Sequence, residues 1–372
     1  MKILLAFDSF KETLSSPQIS KIVKEELMKK DQTLDIQSLE IGDGGEGSVN
    51  AIINAINAEK RYKTISGPHF EKIRAFIGIK YDSCFIESAS VVGFKYHKNS
   101  DTPSNISTYG IGELIKYALD LNMRNIYVCL GGTTSNDGGC GMAAALGAKF
   151  INKDGNLFIP MGKSLNDISD IDLSALDKRL NDCNIYALCD VVNPLCGING
   201  ASYVYGPQKN ASAEEVKIMD LGLNHLSELM KNKYNIDNKD LPSTGAAGGL
   251  GYGIISFLNG KIKKGIETIL DLYNFNDIIR DVDIIFTGEG KLDNQSFSGK
   301  VIAGIIKYGE MYNKRIIGVF GIIDYDLNKL PECMKDVYET NINHNDFEYV
   351  KKHAEADLRN TIKRIKINEM IL

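Results

Sequence analysis

Five short stretches of this sequence set an acid or an amide among small residues where an apolar run ends: "DSFK" (8–11), "GDGGEG" (42–47), "GGTTSNDGG" (131–139), "CDVVNPLCG" (189–197) and "TGEGKLDNQS" (287–296). A carboxylate in such a place can take a proton or meet a cation, and backbone N–H groups at a helix entry attract anions. The third stretch opens "GGTTSNDGGCGMAAALG" (131–147), with six glycines and with Asn136 and Asp137 at its centre. Two readings stand side by side for it. Either glycine lets helix and sheet backbones approach closely, or the bare loop turns its N–H groups toward a phosphate. "PQKNAS" (207–212) and "STGAAGG" (243–249) add donors without acids and read equally as helix entries or close packing. Carboxylates beside glycine turns suit a metal-assisted reaction on an anionic substrate, since Mg2+ takes one or two carboxylates plus phosphate oxygens and waters. Neither GxxxxGK[ST] nor a GxGxxG after the first apolar run is present, which argues against a P-loop and against a dinucleotide oxidoreductase. The five histidines (69, 97, 225, 344, 353) lie outside these turns, so no histidine chemistry is expected.

Such turns need strands before them and helices after them. "KILLAF" (2–7) reads as a buried strand, and a helix follows with Ser16 as N-cap and Pro17 at its first position. Ile19, Ile22, Val23 and Leu27 form its apolar stripe. "LDIQSLEI", the turn 42–47 and "SVNAIINAINA" repeat the order, as do "DVDIIFTGEG" (281–290), "GKVIAGIIKYGEMY" (299–312) and "KRIIGVFG" (314–321). This rhythm predicts parallel strands with crossover helices, whose ligands gather at the carboxyl ends of the strands. The middle departs from it, because 71–92 reads as an antiparallel hairpin. The expected fold is α/β: a Rossmann-like or flavodoxin-like parallel-sheet domain (1–67 plus 271–372) with a mixed α/β domain (68–270) inserted and the active site in the cleft between them. Pattern alone leaves two sequential domains open.

At 372 residues the chain is long enough for two cores. Hydrophobic residues make up 43% and charged residues 24%, ordinary proportions for a globular protein, and the net charge of −5 carries no footprint for nucleic acid. "MKILLAFD" holds too short an apolar run for a signal peptide, and no apolar run approaches a membrane span. The seven cysteines include no CxxC, which favours free thiols in a reducing cytoplasm. A cytoplasmic protein without nucleic-acid or membrane partners is expected; its oligomeric state is left open.

Read together, the turns resemble the glycerate kinase family of the bacterial type with an inserted domain. The motifs that carry the resemblance are "FDSFKETLSS" (7–16), "GDGGEGS" (42–48), "ISTYGIGELI" (106–115), "GGTTSNDGGCGM" (131–142), "CDVVNPLCG" (189–197), "GPQKNA" (206–211), "GAAGGLG" (245–251) and "TGEGKLDNQ" (287–295), in order over roughly residues 1–320. The resemblance implies an ATP- and Mg2+-dependent kinase acting on D-glycerate, with 2-phosphoglycerate favoured over 3-phosphoglycerate as product. It implies Asp190 and Lys11 as catalytic residues, and Asp8, Ser9, Asp43, Gly44, Gly45 and Glu46 around the substrate. Gly131, Gly132, Thr133, Asn136, Gly138, Gly139, Gly288, Glu289, Gly290 and Lys291 would hold nucleotide phosphates, and Asp137 and Asp293 would contact the metal. Four departures bear on this: Lys291 stands for an arginine and loses its planar fork, Val192 stands where an acid is common, and Glu12 and Asn210 replace small residues. Those at 12, 192 and 291 keep alive a kinase for another small hydroxy acid. A non-catalytic acid-binding module on the same fold is the rival from a different class.

Overall fold

A computed structural model describes residues 1–10, 13–41, 47–96, 101–297, 301–344 and 346–366. The chain divides into two units, Met1–Asp43 with Ile266–Leu372, and Gly44–Gly265.

The first unit is built on five parallel strands in the order Asp336–Glu339, Arg315–Phe320, Ile284–Gly288, Lys2–Phe7, Asp35–Glu40. Lys2–Phe7 is apolar along its length because both its faces are covered. Ile3, Leu5 and Phe7 meet Ile19, Val23 and Leu27 of helix Ser16–Lys30 and Leu358 and Ile362 of helix Phe347–Arg364. On the opposite face Ile316 lies against Gly309 of helix Val301–Met311, and Gly304 of that helix admits Ile266 and Leu270 of helix Gly265–Leu272. The N-cap of the first helix is Ser15, one residue before the expected Ser16. The Ser15 N–H donates to Gln18 Oε1 at 2.9 Å, while Ser16 Oγ turns inward to Phe7 O at 2.7 Å.

The second unit carries a six-stranded mixed sheet, ordered Lys261–Lys263, Asn184–Leu188, Asn125–Cys129, Ser83–Glu87, Lys72–Lys80, Glu59–Ser66. The first four run parallel; Lys72–Lys80 is antiparallel to both its neighbours, which gives the hairpin its expected character. Helices Tyr109–Asp120, Ala213–Tyr234 and Ala246–Leu258 share one apolar core with the sheet face of Ile77, Ile86, Val128 and Ala187. Residues 44–67, which the sequence reading grouped with the terminal segments, group here with the second unit. Glu59–Ser66 pairs along its whole length with residues 72–79 of the next strand. Helix Ser48–Ile56 sets Ile53 over Gly78, where a Cβ would come within 2.7 Å of that side chain. Among the described residues no helix is long and apolar enough to cross a membrane.

Candidate active site

In the first unit the strand order reverses between Lys2–Phe7 and Ile284–Gly288. From the former the chain crosses over one face to Asp35–Glu40, from the latter over the other face to Arg315–Phe320. Open α/β sheets place ligands outside the carboxyl ends of the strands at this reversal. Asp8 follows one of these strands and Glu289 the other. The Asp8 N–H donates to Gly288 O at 2.9 Å, and Asp8 Oδ1 accepts the Ser9 N–H at 2.7 Å, which tightens the turn. A Cβ at Gly288 would lie 1.7 Å from Val319 O, so only glycine lets the strands run this close. Glu289 is 8% exposed, and its carbonyl and that of Gly290 take the N–H groups of Gly321 and Ile322 at 3.2 and 3.0 Å. Asp8, Ser9, Gly288, Glu289 and Gly290 are thus brought to adjoining strand ends. Lys11, Asp43, Gly44, Gly45 and Glu46, and the departure Glu12, lie outside the described residues.

Lys291 and Asp293 are placed further along. Lys291 pairs with Asp324 at 2.7 Å, and that hydrogen bond raises its ammonium above the ordinary value. Asp293 opens the short turn Asn294–Phe297: its Oδ1 accepts the Gln295 N–H at 2.8 Å, and its own N–H donates to Ser296 Oγ at 3.1 Å.

In the second unit the turn 131–141 answers the packing question. Asp137 is fully buried. Its Oδ2 accepts the Thr108 N–H and hydroxyl, both at 2.8 Å, and the Gly141 N–H at 3.2 Å, while Oδ1 accepts the Gly139 N–H at 3.0 Å. Burial pushes this carboxyl above its ordinary value, and the four hydrogen bonds pull it the other way. The Gly138 N–H is held by Gly248 O at 3.1 Å, and Asn136 Nδ2 donates to buried Ser202 Oγ at 3.1 Å. The N–H groups expected to receive phosphate at Gly138 and Gly139 therefore already have partners, as does the Asn136 amide, and the Asp137 carboxyl ties the loop to Thr108. The glycines serve close approach: a Cβ at Gly139 would lie 3.0 Å from Gly253 Cα, and one at Gly248 2.0 Å from Ser135 O. Thr133 is buried in an antiparallel bridge with Gly93. What the turn leaves open is its mouth, half-buried Gly131 and exposed Gly132 at φ 74°.

Asp190 follows the neighbouring strand Asn184–Leu188, at the same sheet end as Gly131. Its Oδ1 accepts the Gly265 N–H at 2.9 Å, which anchors one carboxylate oxygen. Val192 is 74% exposed two residues on. Three groups were missed by sequence reasoning. Glu87 ends strand Ser83–Glu87, is 6% exposed, and its Oε2 accepts the N–H groups of Gly47 and Val49 at 2.9 and 3.2 Å, capping the helix that follows 42–47. The acid closing the apolar run "CFIE" was a signal of the same kind as the five turns. Thr108, which holds Asp137, and Lys209, buried beneath Ser135, lie in stretches singled out above (106–115 and 207–212), but neither residue was picked out within them.

Among the described residues no group of three or more His, Cys, Asp or Glu side chains is placed to hold a metal ion. Asp137 is fully buried and belongs to no such group, and neither does Asp293.

The sequence model of the Glycerate kinase family matches residues 3–369. The glycerate 2-kinase of Escherichia coli (strain K12) is 40% identical over 330 residues, 88% of this chain and 87% of that protein. A glycerate kinase of Bacillus cereus (strain ATCC 10987) is 36% identical over 98% of this chain and 97% of its own length. A crystal structure of a glycerate kinase 2 candidate from Salmonella typhimurium LT2 superposes with a TM-score of 0.82 at 34% identity, covering 98% of this chain and 96% of that one. With that match over nearly the whole chain, the chain belongs to the glycerate kinase family and is a kinase.

Proposed function

We propose that this kinase transfers the γ-phosphoryl group of ATP, accompanied by Mg2+, to a hydroxyl of D-glycerate, and that the product is 2-phosphoglycerate. The observation that carries the reading is the pair Asp8 and Glu289 at the strand reversal of the first unit, beside the glycines 288 and 290. The name of the Escherichia coli relative supports the 2-position. Lys11, with Ser9 and the 43–46 turn, would take the glycerate carboxylate, since a lysine offers a point charge to an anion. Gly288 to Gly290 and the open mouth Gly131–Gly132 would face phosphate oxygens.

In the reaction the glycerate hydroxyl oxygen bonds to the γ-phosphorus, the bond to the ADP oxygen breaks, and the hydroxyl proton passes to a carboxylate. Asp190 is assigned that proton. It sits at a strand end beside the open glycines, and its anchoring through Gly265 N–H holds one oxygen still while the carboxylate acts. No step is assigned to a metal contact of the protein.

An ADP-release assay across D-glycerate, tartronate, hydroxypyruvate and lactate tests the substrate. Turnover should require D-glycerate. Equal turnover on lactate, which lacks the second hydroxyl, would reject the assignment in favour of a kinase for another hydroxy acid, and no turnover with any acid would favour a binding module.

A further inference from the structure

One segment of the second unit is bonded to both of its candidate turns. Helix Ala201–Tyr205 runs into the short turn Pro207–Lys209. Tyr205 Oη donates to Asn193 Oδ1 at 2.6 Å, in the turn that carries Asp190. Ser202 receives the Asn136 amide, and the Lys209 ammonium reaches inward to donate to Ser135 O at 2.9 Å. Lys209 is only 3% exposed.

A buried ammonium is expensive, because water solvates it far better than a carbonyl does. Burial accordingly brings Lys209 down to about 7, and Asp137 is the charge that works to hold it protonated. A methionine would fill the same space without that cost. Asp137 has the complementary problem: a fully buried carboxylate whose partners are neutral N–H and O–H groups. The Asp137 charge thus favours the ammonium form of Lys209, and that ammonium is bonded to the Ser135 carbonyl, two residues from Asp137.

We propose that Lys209 is a positioning residue of the kinase site, holding the Ser135 carbonyl and balancing Asp137 so that the turn 131–141 stays in register with the turn bearing Asp190. The inference rests on the reading that Gly131–Gly132 and Asp190 belong to the reacting site.

The test is a double-mutant cycle of Lys209→Met and Asp137→Asn in the full chain, with Asp190→Asn measured in parallel. kcat and KM for glycerate and ATP are read per folded molecule, well below Tm. Lys209→Met should lower kcat about tenfold or more with both KM values changed by less than about twofold. The loss in the double variant should fall at least about threefold short of the product of the two single losses, since neither charge is then left alone. If Lys209→Met fails to fold, a double variant that folds gives the same support, and one that fails where Asp137→Asn alone folds overturns the pairing. A Lys209→Met enzyme with a lower Tm but the parent kcat overturns the proposal, as do losses that simply multiply in the double variant. If Asp190→Asn is inactive while Lys209→Met is intact, this inference alone falls. If Asp190→Asn keeps the parent kcat, the site reading falls and this inference with it.

Discussion

Gly248→Ala separates packing from ligand binding as the reason for the glycines around 131–141. Gly248 has φ +66°, and a Cβ there would stand 2.0 Å from Ser135 O and 2.6 Å from Asn136 Cα. The left-handed backbone costs an alanine about 1–2 kcal/mol. Forcing backbone atoms apart in a filled interior adds roughly 1–3 kcal/mol, so the total is about 2–5 kcal/mol. Gly155 is the control: φ is +79°, but nothing lies within 4 Å of its Cβ position. Gly155→Ala should therefore cost the strain alone, about 1–2 kcal/mol. The chain has no tryptophan, so urea unfolding is best followed by far-UV circular dichroism. Gly248→Ala should lose at least about 1 kcal/mol more than Gly155→Ala, the smallest clash expected. Equal losses would refute the close-packing account and reopen the phosphate reading for Gly138 and Gly139.

Burial raises the Glu215 carboxyl, but hydrogen bonds from Thr102, Ser212 and Ser104 outweigh it and hold it at about 2 against an ordinary 4.5. A depressed folded value gives stability that is whole above about 4.5 and lost as pH falls through about 2. Glu215→Gln should therefore cost about 1 kcal/mol at pH 7 after allowance for solvent screening; a gap to the parent that persists unchanged at pH 2 in denaturation curves would contradict this. Lys30 closes the C-terminus of helix Phe347–Arg364 by donating to the carbonyls of Ile362 and Lys363 at 2.7 and 2.9 Å and to that of Ile365. Lys30→Met should lower unfolding free energy by about 1–3 kcal/mol, and hydrogen exchange should rise first in that helix; unchanged exchange there would reject the cap. Excess EDTA should stop glycerate-dependent ATP consumption, since the nucleotide then lacks its counter-ion; undiminished turnover would remove Mg2+ from the account.

The strand–turn–helix rhythm was legible because it is local: "KILLAF" is apolar from Ile3 to Phe7, as a strand covered on both faces must be, and its turn opens with Asp8 at the sheet's reversal. Long-range partners were not. Asp137 in a glycine loop looks like a metal acid until Thr108, 29 residues earlier, is seen donating to it twice. The glycines looked equally suited to phosphate until Gly248 and Gly253 arrived against them from over 100 residues away. Residues 48–66 looked like a continuation of the first unit because the covering of Gly78 by Ile53 leaves no trace in either segment's own pattern. Lys209 could not be told from a surface lysine, since burial of a charged side chain is decided by partners that no spacing announces.

The central claim is best tested by incubating the full chain with ATP, Mg2+ and D-glycerate and following the products by phosphorus NMR. The account predicts one ADP for each phosphorylated glycerate, with phosphorus coupled to the C2 proton as in 2-phosphoglycerate. Phosphorus coupled to the C3 methylene protons would contradict the position, and release of inorganic phosphate without a phosphorylated acid would contradict the transfer itself.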